Sequence, residues 1–316
     1  MIDRNYNRVD AIIEIATLYY IDGKKQQEIA DIFSTTRSNI AKILKQAVAQ
    51  GIVKIQIVNP SSNIVNLSRR MVEKFPIKKA IIAPTGIDYK ETLSSVGYAA
   101  AKYLQQNLKD ELNIGIGWGT TLYQMVDQFI DSSVKNGSVV QMHGGMGARD
   151  LVVDGYELAS SLARKMHTPA YYISAPLIVQ SKEAKEILMN DKSISGALKL
   201  GRSVDIAFMG IGTTEPELNA LLRAGLIDKN TANFLINQGA VGMICGQFFD
   251  IAGNLIDNEI NDCIIGIKAS ELKSLKNVIG LACGEKKVEA LLGAINGGFL
   301  DVVITDEQVA KKLLEK

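Results

Sequence analysis

Two adjacent threonines, Thr120 and Thr121, follow a glycine-rich loop that contains Gly117 and Gly119. The loop connects an apolar run to a segment with helical spacing, so the threonines fall in the first turn of a predicted helix. Free backbone N–H groups, two hydroxyls and the positive end of a helix dipole together form an anion site, most simply for a phosphate. A tight structural turn would explain the glycines alone, and no Walker sequence follows them. The paired threonines favour a ligand site.

A second glycine loop, residues 141–149, carries His143, Gly144 and Arg149. His143 could hydrogen-bond a hydroxyl or a phosphate, and Arg149 could supply charge. A neutral imidazole near pH 7 would suit a polyol better than a dianion. A structural role is the alternative for a lone histidine such as this one.

Two more glycine loops lie close in the sequence to cationic residues that are candidates for binding an anion. Residues 205–215 end a predicted strand in glycines, with Arg223 not far downstream, and residues 282–287 join a strand to a helix that begins near Lys286. A lysine at a helix start opposes the helix dipole, which suggests an anionic partner. Solvated surface lysines are the alternative for Lys286 and Lys287. The candidate effector site therefore draws on four loops: Gly117, Gly119, Thr120, Thr121, His143, Gly144, Arg223 and Lys287.

A second set of chemistry-bearing residues lies in the segment 25–50, whose apolar spacing predicts a helix-turn-helix. Its helices would pack closely at Ala30 and bury one apolar seam: Ile29, Ile32, Phe33, Ile40, Ile43 and Leu44. Thr36 is a candidate N-cap of the second helix. The outward side would then carry groups that pair with purine edges and phosphates: Arg37, Ser38, Asn39, Lys42 and Lys45. Together with Thr36, these form the candidate DNA-binding set.

The distribution of charge along the sequence distinguishes a DNA-binding helix-turn-helix from an ordinary amphipathic helix pair. No Asp or Glu occurs between Asp31 and Glu73, an interval that contains six arginines and lysines. Because the net charge of the chain is only +1, DNA affinity must come from this local surface. Residues 51–57 predict a turn and the strand of a small wing. Ser34 is evidence for an ordinary helix pair. In a helix-turn-helix, this turn position often needs a positive φ, which Gly adopts more easily than Ser.

The elements around these loops predict an α/β fold: a winged helix-turn-helix domain at residues 1–58 and a Rossmann-like, mainly parallel sheet domain at 59–316. A helix at 10–20 would support the helix-turn-helix, and 59–63 would be the boundary, followed by a connecting helix at 64–75. Further strands are predicted at 80–83, 112–116, 139–142, 170–173, 205–209, 278–282 and 302–305. Helices are predicted at 92–107, 120–129, 157–166, 181–189, 231–238, 286–296 and 307–316.

Composition narrows the class of protein. The polar start of the chain and the lack of an apolar run of spanning length predict no signal peptide and no membrane partner. Cys245, Cys263 and Cys283 are odd in number and have apolar neighbours, which predicts core thiols in a reducing cytoplasm. Two histidines leave little from which to build a zinc site, and no cofactor is predicted.

With these residues assembled, the chain resembles the SorC family of bacterial sugar-responsive transcription regulators. The resemblance extends over nearly the whole chain. The order and spacing of the motifs together identify the family more specifically than any single motif does. The motifs are QQEIADIF, SNIAKILKQAVAQGIVKI, GIGWGTTL, HGGMG, SAPLIV, DIAFMGIG, GAVGMICGQFFDIAGN, GEKKVEALLGAINGG and VVITDE. The resemblance implies an effector domain similar to sugar-phosphate isomerases and CoA transferases, used for sensing without turnover. It also implies a homotetramer, as a dimer of dimers, on palindromic operator DNA.

The resemblance can be carried over position by position. It places the family's phosphate loop on Gly117, Gly119, Thr120 and Thr121 and its helix-start lysine on Lys287. His143 takes a position that bears a basic residue in some members. Met243 takes a position that is frequently acidic, and its side chain lacks the acceptor that could bind a sugar hydroxyl. The sugar specificity of the family therefore does not carry over.

The expected function is a sugar-responsive repressor of a carbohydrate-catabolism operon, with a phosphorylated sugar or polyol as effector. It is expected not to be an enzyme. The alternative is a sugar-phosphate isomerase or deaminase with an appended DNA-binding domain. Isomerisation needs a positioned acid and base. The sequence offers His143, Asp205 and Glu285 for these roles, without an evident arrangement among them.

Overall fold

The N-terminal unit is built from α1 (Arg8–Tyr20), α2 (Gln26–Ile32) and α3 (Arg37–Ala49). The computed structural model describes residues 8–54, 62–147 and 153–316. The chain divides into two units, residues 1–59 and 60–316, and the predicted boundary between 58 and 59 lies outside the described residues. The three helices share one apolar core: Ile12, Ile15, Ala16, Ile29, Ala30, Ile40, Leu44 and Ala47. The helix-turn-helix and its supporting helix are thereby confirmed.

Two apolar residues of these helices lie at the surface: Ile32, which was predicted in the buried seam, and Ile13 of α1. Ile32 is 56% exposed and Ile13 is 47% exposed. Each residue turns the helix by about 100°, so the face centred on Ile29 and Ala30 returns at Phe33 and not at Ile32. For the same reason, Ile15 of α1 joins the core in place of Ile13.

The turn between α2 and α3 has the backbone conformation predicted for it. Ser34 has φ 49°, in the left-handed region, although it is not a glycine. Residues 51–54 form a turn and bends, with Gly51 at φ 73°. The remainder of the predicted wing strand, residues 55–57, lies outside the described part of the chain.

The second unit contains a parallel sheet of seven strands. Its strands are β1 (Lys79–Ala83), β2 (Asn113–Ile116), β3 (Ser138–Gln141), β4 (Ala170–Tyr171), β5 (Ile206–Gly210), β9 (Val278–Leu281) and β10 (Val302–Asp306). The strand order is β1-β10-β9-β5-β2-β3-β4, with parallel pairing throughout. The mainly parallel α/β fold is thus confirmed, with strand ends within two residues of those predicted.

A smaller antiparallel sheet follows directly on β5, and it was not predicted. It consists of β6 (Gly212–Thr213), β7 (Gly242–Ile244) and β8 (Gln247–Phe249). Strands of two or three residues are too short to show a period in the sequence, which explains the omission.

Helices cover both faces of the large sheet. The helices described in the second unit are α4 (Ser62–Lys74), α5 (Tyr89–Gln106), α6 (Thr120–Gln128), α7 (Gly155–Met166), α8 (Lys182–Met189), α9 (Lys192–Gly201), α10 (Ala220–Arg223), α11 (Lys229–Asn237), α12 (Glu259–Asp262), α13 (Ala269–Leu272), α14 (Val288–Asn296) and α15 (Glu307–Glu315). Of these, α10 and α11 pack with the smaller sheet in a third apolar cluster. Successive residues of β5 point to opposite faces, with Ala207 and Met209 in one apolar cluster and Ile206 and Phe208 in the other. Helices α4, α9, α14 and α15 pack on the first cluster, and α5, α6 and α7 on the second.

Several smaller predictions can be compared with this architecture. Helix α4 buries Leu67 and Met71 and packs against β1 and α15, whereas its Val72 is 39% exposed. Helix α9 was not predicted. The three cysteines are buried, as expected for core thiols. Among the described residues, no helix is both long and apolar enough to cross a lipid bilayer.

The strand order creates a crevice in the large sheet. From β2 the chain moves outward through β3 to β4, then returns to β5 on the opposite side of β2. The connections that leave β2 and β5 therefore diverge at the carboxyl ends of these two strands. In open α/β sheets, this switch point is where ligands bind.

Candidate functional site

A cavity of about 250 Å³ lies at the switch point. It is lined by residues from the loops after β2, β5 and β9 and from the elements beside them: Trp118, Gly119, Thr120, Thr121, Met146, Val153, Gly210, Ile211, Gly212, Leu218, Ala220, Arg223, Ala224, Met243, Leu281 and Lys287. Five predicted effector-site residues, from three separate loops, therefore meet at one cavity: Gly119, Thr120, Thr121, Arg223 and Lys287.

The start of α6 presents its first turn to the cavity. Gly119 is the N-cap residue, with φ 117°, and it provides no side chain to cap the helix. The first N–H groups of an α-helix have no intrahelical acceptor, and the helix dipole makes them favourable to anions. Thr120 and Thr121 are half-buried in this turn and line the cavity. The arrangement is the one expected for an anion site.

Lys287 extends a cation into the same cavity. It ends a 3₁₀ turn, Glu285–Lys287, just before α14, and its Nζ donates to the carbonyl oxygen of Ile211 at 2.7 Å. Burial lowers the pKa of Lys287 to about 8, and the positive charge of Arg223 acts in the same direction. The amine is therefore still mostly protonated at pH 7. Two cations that disfavour each other's charge would both be stabilised by a bound anion.

Tyr89 lies beside this site, although it does not line the cavity, and the sequence did not indicate it. Partial burial raises the pKa of its phenol, and an interaction with the side chain of Thr120 opposes that rise. Its ring lies against Gly284, where a Cβ atom would come within 3.0 Å of the Tyr89 ring. Gly284 also has φ 87°, so the turn before Lys287 requires glycine for two reasons. Tyr89 begins α5, three residues before the predicted start of that helix, and nothing in the local sequence marks it.

The other predicted effector residues lie outside the cavity lining. His143 is fully buried, its Nδ1 is 2.9 Å from the carbonyl oxygen of Gly144, and its ring lies 5.0 Å from that of Trp118, measured between centroids. Burial lowers the pKa of His143, so its imidazole is neutral at pH 7. A Cβ at Gly144 would lie 2.5 Å from the backbone oxygen of Pro176, and one at Gly117 would lie 3.3 Å from Met209 Cε. Arg149 lies outside the described residues.

The residues suggested for catalysis are dispersed. Asp205 lies at the amino end of β5, away from the cavity, and its carboxylate accepts hydrogen bonds from the backbone N–H of Asn113 and from Lys276. Glu285 forms a 2.7 Å ion pair with Lys312. His143 is enclosed behind Trp118. These three residues do not converge on the cavity.

The second candidate surface is the outward side of α3. Thr36 caps the helix as predicted, because its Oγ1 accepts a hydrogen bond from the backbone N–H of Asn39 at 3.2 Å. The buried side of the helix carries Ile40, Leu44 and Ala47. The candidate DNA-binding residues are all exposed: Thr36, Arg37, Ser38, Asn39, Lys42 and Lys45. The Asn39 side chain also donates to Thr35 Oγ1 at 3.0 Å, which holds the start of α3 together.

An exposed cationic helix in one unit and a switch-point cavity in the other are features of a ligand-responsive DNA-binding protein. Comparison with known proteins agrees. Residues 59–315 match the family described as "Putative sugar-binding domain". The chain is 30% identical over 304 residues to the deoxyribonucleoside regulator of Bacillus subtilis (strain 168), covering 96% of each protein. It is 28% identical over 310 residues to the transcriptional regulator LsrR of Escherichia coli (strain K12), covering 96% of this chain and 94% of the relative.

The similarity extends to solved structures. The full-length sorbitol operon regulator SorC from Klebsiella pneumoniae superposes with a TM-score of 0.81 at 25% identity, covering 98% of this chain and 100% of that one. The chain belongs to the SorC family of transcriptional regulators with a sugar-binding domain. The family assignment made from the sequence motifs is confirmed.

Proposed function

We propose that this regulator is a repressor that binds operator DNA through α3 and is controlled by a phosphorylated sugar or polyol. The observation that carries the proposal is the convergence of Thr120, Thr121, Arg223 and Lys287 on one cavity, from loops far apart in the chain. Relatives named for deoxyribonucleosides and for the sorbitol operon support an effector of the sugar or polyol type.

The cavity offers a phosphate three kinds of interaction. Backbone N–H groups at the start of α6 donate to its oxygens, together with the hydroxyls of Thr120 and Thr121. Lys287 and Arg223 supply positive charge, and hydrogen bonds between such cations and a phosphate are stronger than neutral ones. Since the residues suggested for catalysis lie elsewhere, the site senses its ligand without converting it. Sugar phosphates incubated with the protein should be recovered unchanged.

On the DNA side, α3 serves as the recognition helix. Arg37 and Asn39 are of the types that pair with purine edges, while Lys42 and Lys45 suit phosphates. In the proposed mechanism the protein is a homotetramer, a dimer of dimers, that places paired recognition helices on a palindromic operator. Effector binding favours one arrangement of subunits and so changes operator affinity.

The effector site is tested by thermal unfolding against a panel of free sugars, polyols and their phosphates, because a ligand of the folded state raises the unfolding midpoint. One phosphorylated compound should stabilise the wild-type protein, and Thr121→Ala or Lys287→Ala should abolish the shift. Lys286→Ala is the matched control, since Lys286 is exposed and pairs with Glu217. Stabilisation by an unphosphorylated sugar alone would contradict the phosphate assignment.

The DNA surface is tested by operator titration. Arg37→Ala should weaken specific operator binding by roughly 1–3 kcal/mol, the range for a lost base contact, and leave the effector-induced thermal shift intact. Arg164→Ala is the control, because Arg164 is an exposed arginine on α7 of the other unit. An unchanged operator titration for Arg37→Ala would refute the recognition-helix assignment.

A further inference from the structure

Asp306 is a buried carboxylate that joins two elements of the second unit. It is the last residue of β10 and the N-cap of α15, and its side chain is fully buried. Its Oδ1 accepts hydrogen bonds from the backbone N–H groups of Gln308 and Val309, at 3.0 and 3.1 Å. Its Oδ2 accepts a hydrogen bond from the backbone N–H of Gly284 at 2.8 Å. One side chain therefore holds both the start of α15 and the turn that leads to Lys287.

The turn from Gly284 to Lys287 sets the position of the effector-site lysine. The backbone N–H of Lys287 donates to the carbonyl oxygen of Gly284 at 2.9 Å, and its Nζ donates to the carbonyl oxygen of Ile211 in the cavity lining at 2.7 Å. A phosphate in the cavity would compete with Ile211 for this ammonium group, because a hydrogen bond between two charged groups is stronger than one to a neutral carbonyl. A bound phosphate would therefore act on the turn that Asp306 holds.

Helix α15 and this turn are joined by contacts of unequal strength. Two ion pairs connect them at the surface, Lys312 with Glu285 and Lys316 with Glu289, each at 2.7 Å. Such exposed pairs contribute little. The buried carboxylate differs, because loss of its bond to Gly284 would leave one of its oxygens without that donor in the interior, which is costly. We therefore expect the turn and the start of α15 to shift together.

Helix α15 connects the turn to α4. The two helices pack against each other and share one apolar cluster, which includes Leu67, Met71, Val309 and Leu313. Lys74 Nζ of α4 also donates to the carbonyl oxygen of Leu314 at 2.9 Å. Helix α4 begins at Ser62, close to the boundary between the two units at residues 59 and 60. Because close-packed interiors transmit strain, a shift of α15 would act on the helix that the chain connects to the DNA-binding unit.

We propose that Asp306 is a positioning residue that transmits the effector state of the cavity to α4, through the turn before Lys287 and through α15. The inference rests on the proposed function, and it adds the route by which the effector site is coupled to the DNA-binding unit. Capping of α15 requires only one acceptor oxygen, since Asn caps helices about as well as Asp. The second oxygen, which accepts from Gly284, is the one that couples the turn to the helix.

Asp306→Asn separates the two roles of this side chain. The amide keeps the oxygen that caps α15, whereas its NH₂ group cannot accept a hydrogen bond from the N–H of Gly284. Asp228→Asn is the matched control, because Asp228 caps α11 through the backbone N–H of Thr231 at 2.8 Å. Both variants exchange a capping carboxylate for an amide, and they differ in the bond to the effector-site turn.

Hydrogen exchange of the full-length protein, with and without saturating inorganic phosphate, tests the route. Phosphate should slow exchange at the start of α6, where it accepts the free N–H groups. In the wild-type protein it should also slow exchange in α15 and α4, by roughly threefold or more beyond its effect in α9. Helix α9 packs on the same face of the sheet, so it reports any general stabilisation by the ligand.

In Asp306→Asn, the phosphate response of α6 should persist, while the responses of α15 and α4 should fall to that of α9. Asp228→Asn should keep the wild-type pattern. If Asp306 only capped α15, its substitution would raise exchange in α15 equally with and without phosphate. The phosphate-induced difference in α4 would then be unchanged, and that result would overturn the inference.

The outcomes separate this inference from the proposed function. A wild-type response in α6, with α15 and α4 slowed no more than α9, would overturn the route and leave the phosphate site standing. No response in α6 would overturn the phosphate site, and the inference with it. If Asp306→Asn did not fold, Asp306→Ser would provide the same comparison, because Ser retains a capping oxygen on a shorter side chain.

Discussion

Lys287 shows how one buried amine can make ligand binding depend on pH. Its pKa of about 8 in the unliganded protein means that the cavity gradually loses a positive charge above that pH. A bound phosphate stabilises the protonated form, so the complex holds more protons than the free protein above pH 8. By linkage, effector affinity must fall as pH rises through this range.

We therefore expect effector affinity to be highest between about pH 7, where the phosphate is largely a dianion, and about pH 8. Above pH 8, the dissociation constant should rise toward tenfold per pH unit. Calorimetric titrations from pH 6 to pH 10 would measure the dissociation constant. The Lys287→Met variant should bind the effector more weakly, and its affinity should not begin to fall near pH 8. A wild-type affinity that stays constant from pH 7 to pH 10 would show that Lys287 does not contact the effector.

Individual residues also show where sequence reasoning reaches its limit. Thr120, Thr121 and Lys287 were found because a helix start makes an anion site locally, within a few residues. Tyr89 was missed because it lies against Gly284, which is nearly two hundred residues away in the sequence. His143 carries the right chemistry, yet the sequence could not show that this ring is fully buried.

Among the elements, the turn between α2 and α3 contains a local conflict. Ser34 adopts φ 49°, a conformation that most L-residues avoid at a cost of roughly 1–2 kcal/mol. A glycine accepts it freely but loses more backbone entropy on folding. The strain relieved by a glycine at position 34 is larger than its entropy cost. The substitution should therefore raise the stability of the N-terminal unit.

Ser34→Gly should accordingly stabilise the helix-turn-helix by about 0.5–1 kcal/mol, while Ser34→Ala, which keeps a Cβ, should not. Hydrogen exchange of the α3 amides in the full-length protein would report this without requiring a single unfolding transition. Operator contacts should be unaffected, because the turn precedes the exposed side of α3. Equal protection in the glycine and alanine variants would mean that no strain is relieved at Ser34.

For the whole protein, regulation requires coupling between the cavity and the DNA surface. If the effector changes operator affinity by some factor, operator DNA must change effector affinity by the same factor, because both describe one thermodynamic cycle. The coupling typical of allosteric proteins is about 1–3 kcal/mol, or roughly 5- to 150-fold.

Reciprocity can be measured directly. Operator affinity would be determined with and without saturating effector, and effector affinity with and without saturating operator. We expect the two ratios to agree within error and to fall in that range. In Thr121→Ala, the operator affinity without effector should be unchanged, since the substituted residue lies in the other unit. A coupling ratio of one in the wild-type protein would exclude effector control of DNA binding.

Features that depend on nearby residues are visible in the sequence alone. Thr36 caps α3 through a bond to Asn39, three residues along the chain, and that spacing is visible in the sequence. The apolar runs of the large sheet were recognisable for a similar reason, because parallel strands buried on both faces need continuous hydrophobic residues. The motifs also identified the family, since each is a short contiguous segment.

Which distant residues meet depends on the tertiary structure. Thr121, Arg223 and Lys287 line one cavity because β5 returns beside β2 and β9 pairs with β5. The same arrangement sets Met243 against Gly212 in the lining of the cavity. Strand order follows from how helices pack on both faces of the sheet, and loop closure between distant segments depends only weakly on their separation. Residue spacing therefore could not show which loops would combine into a site.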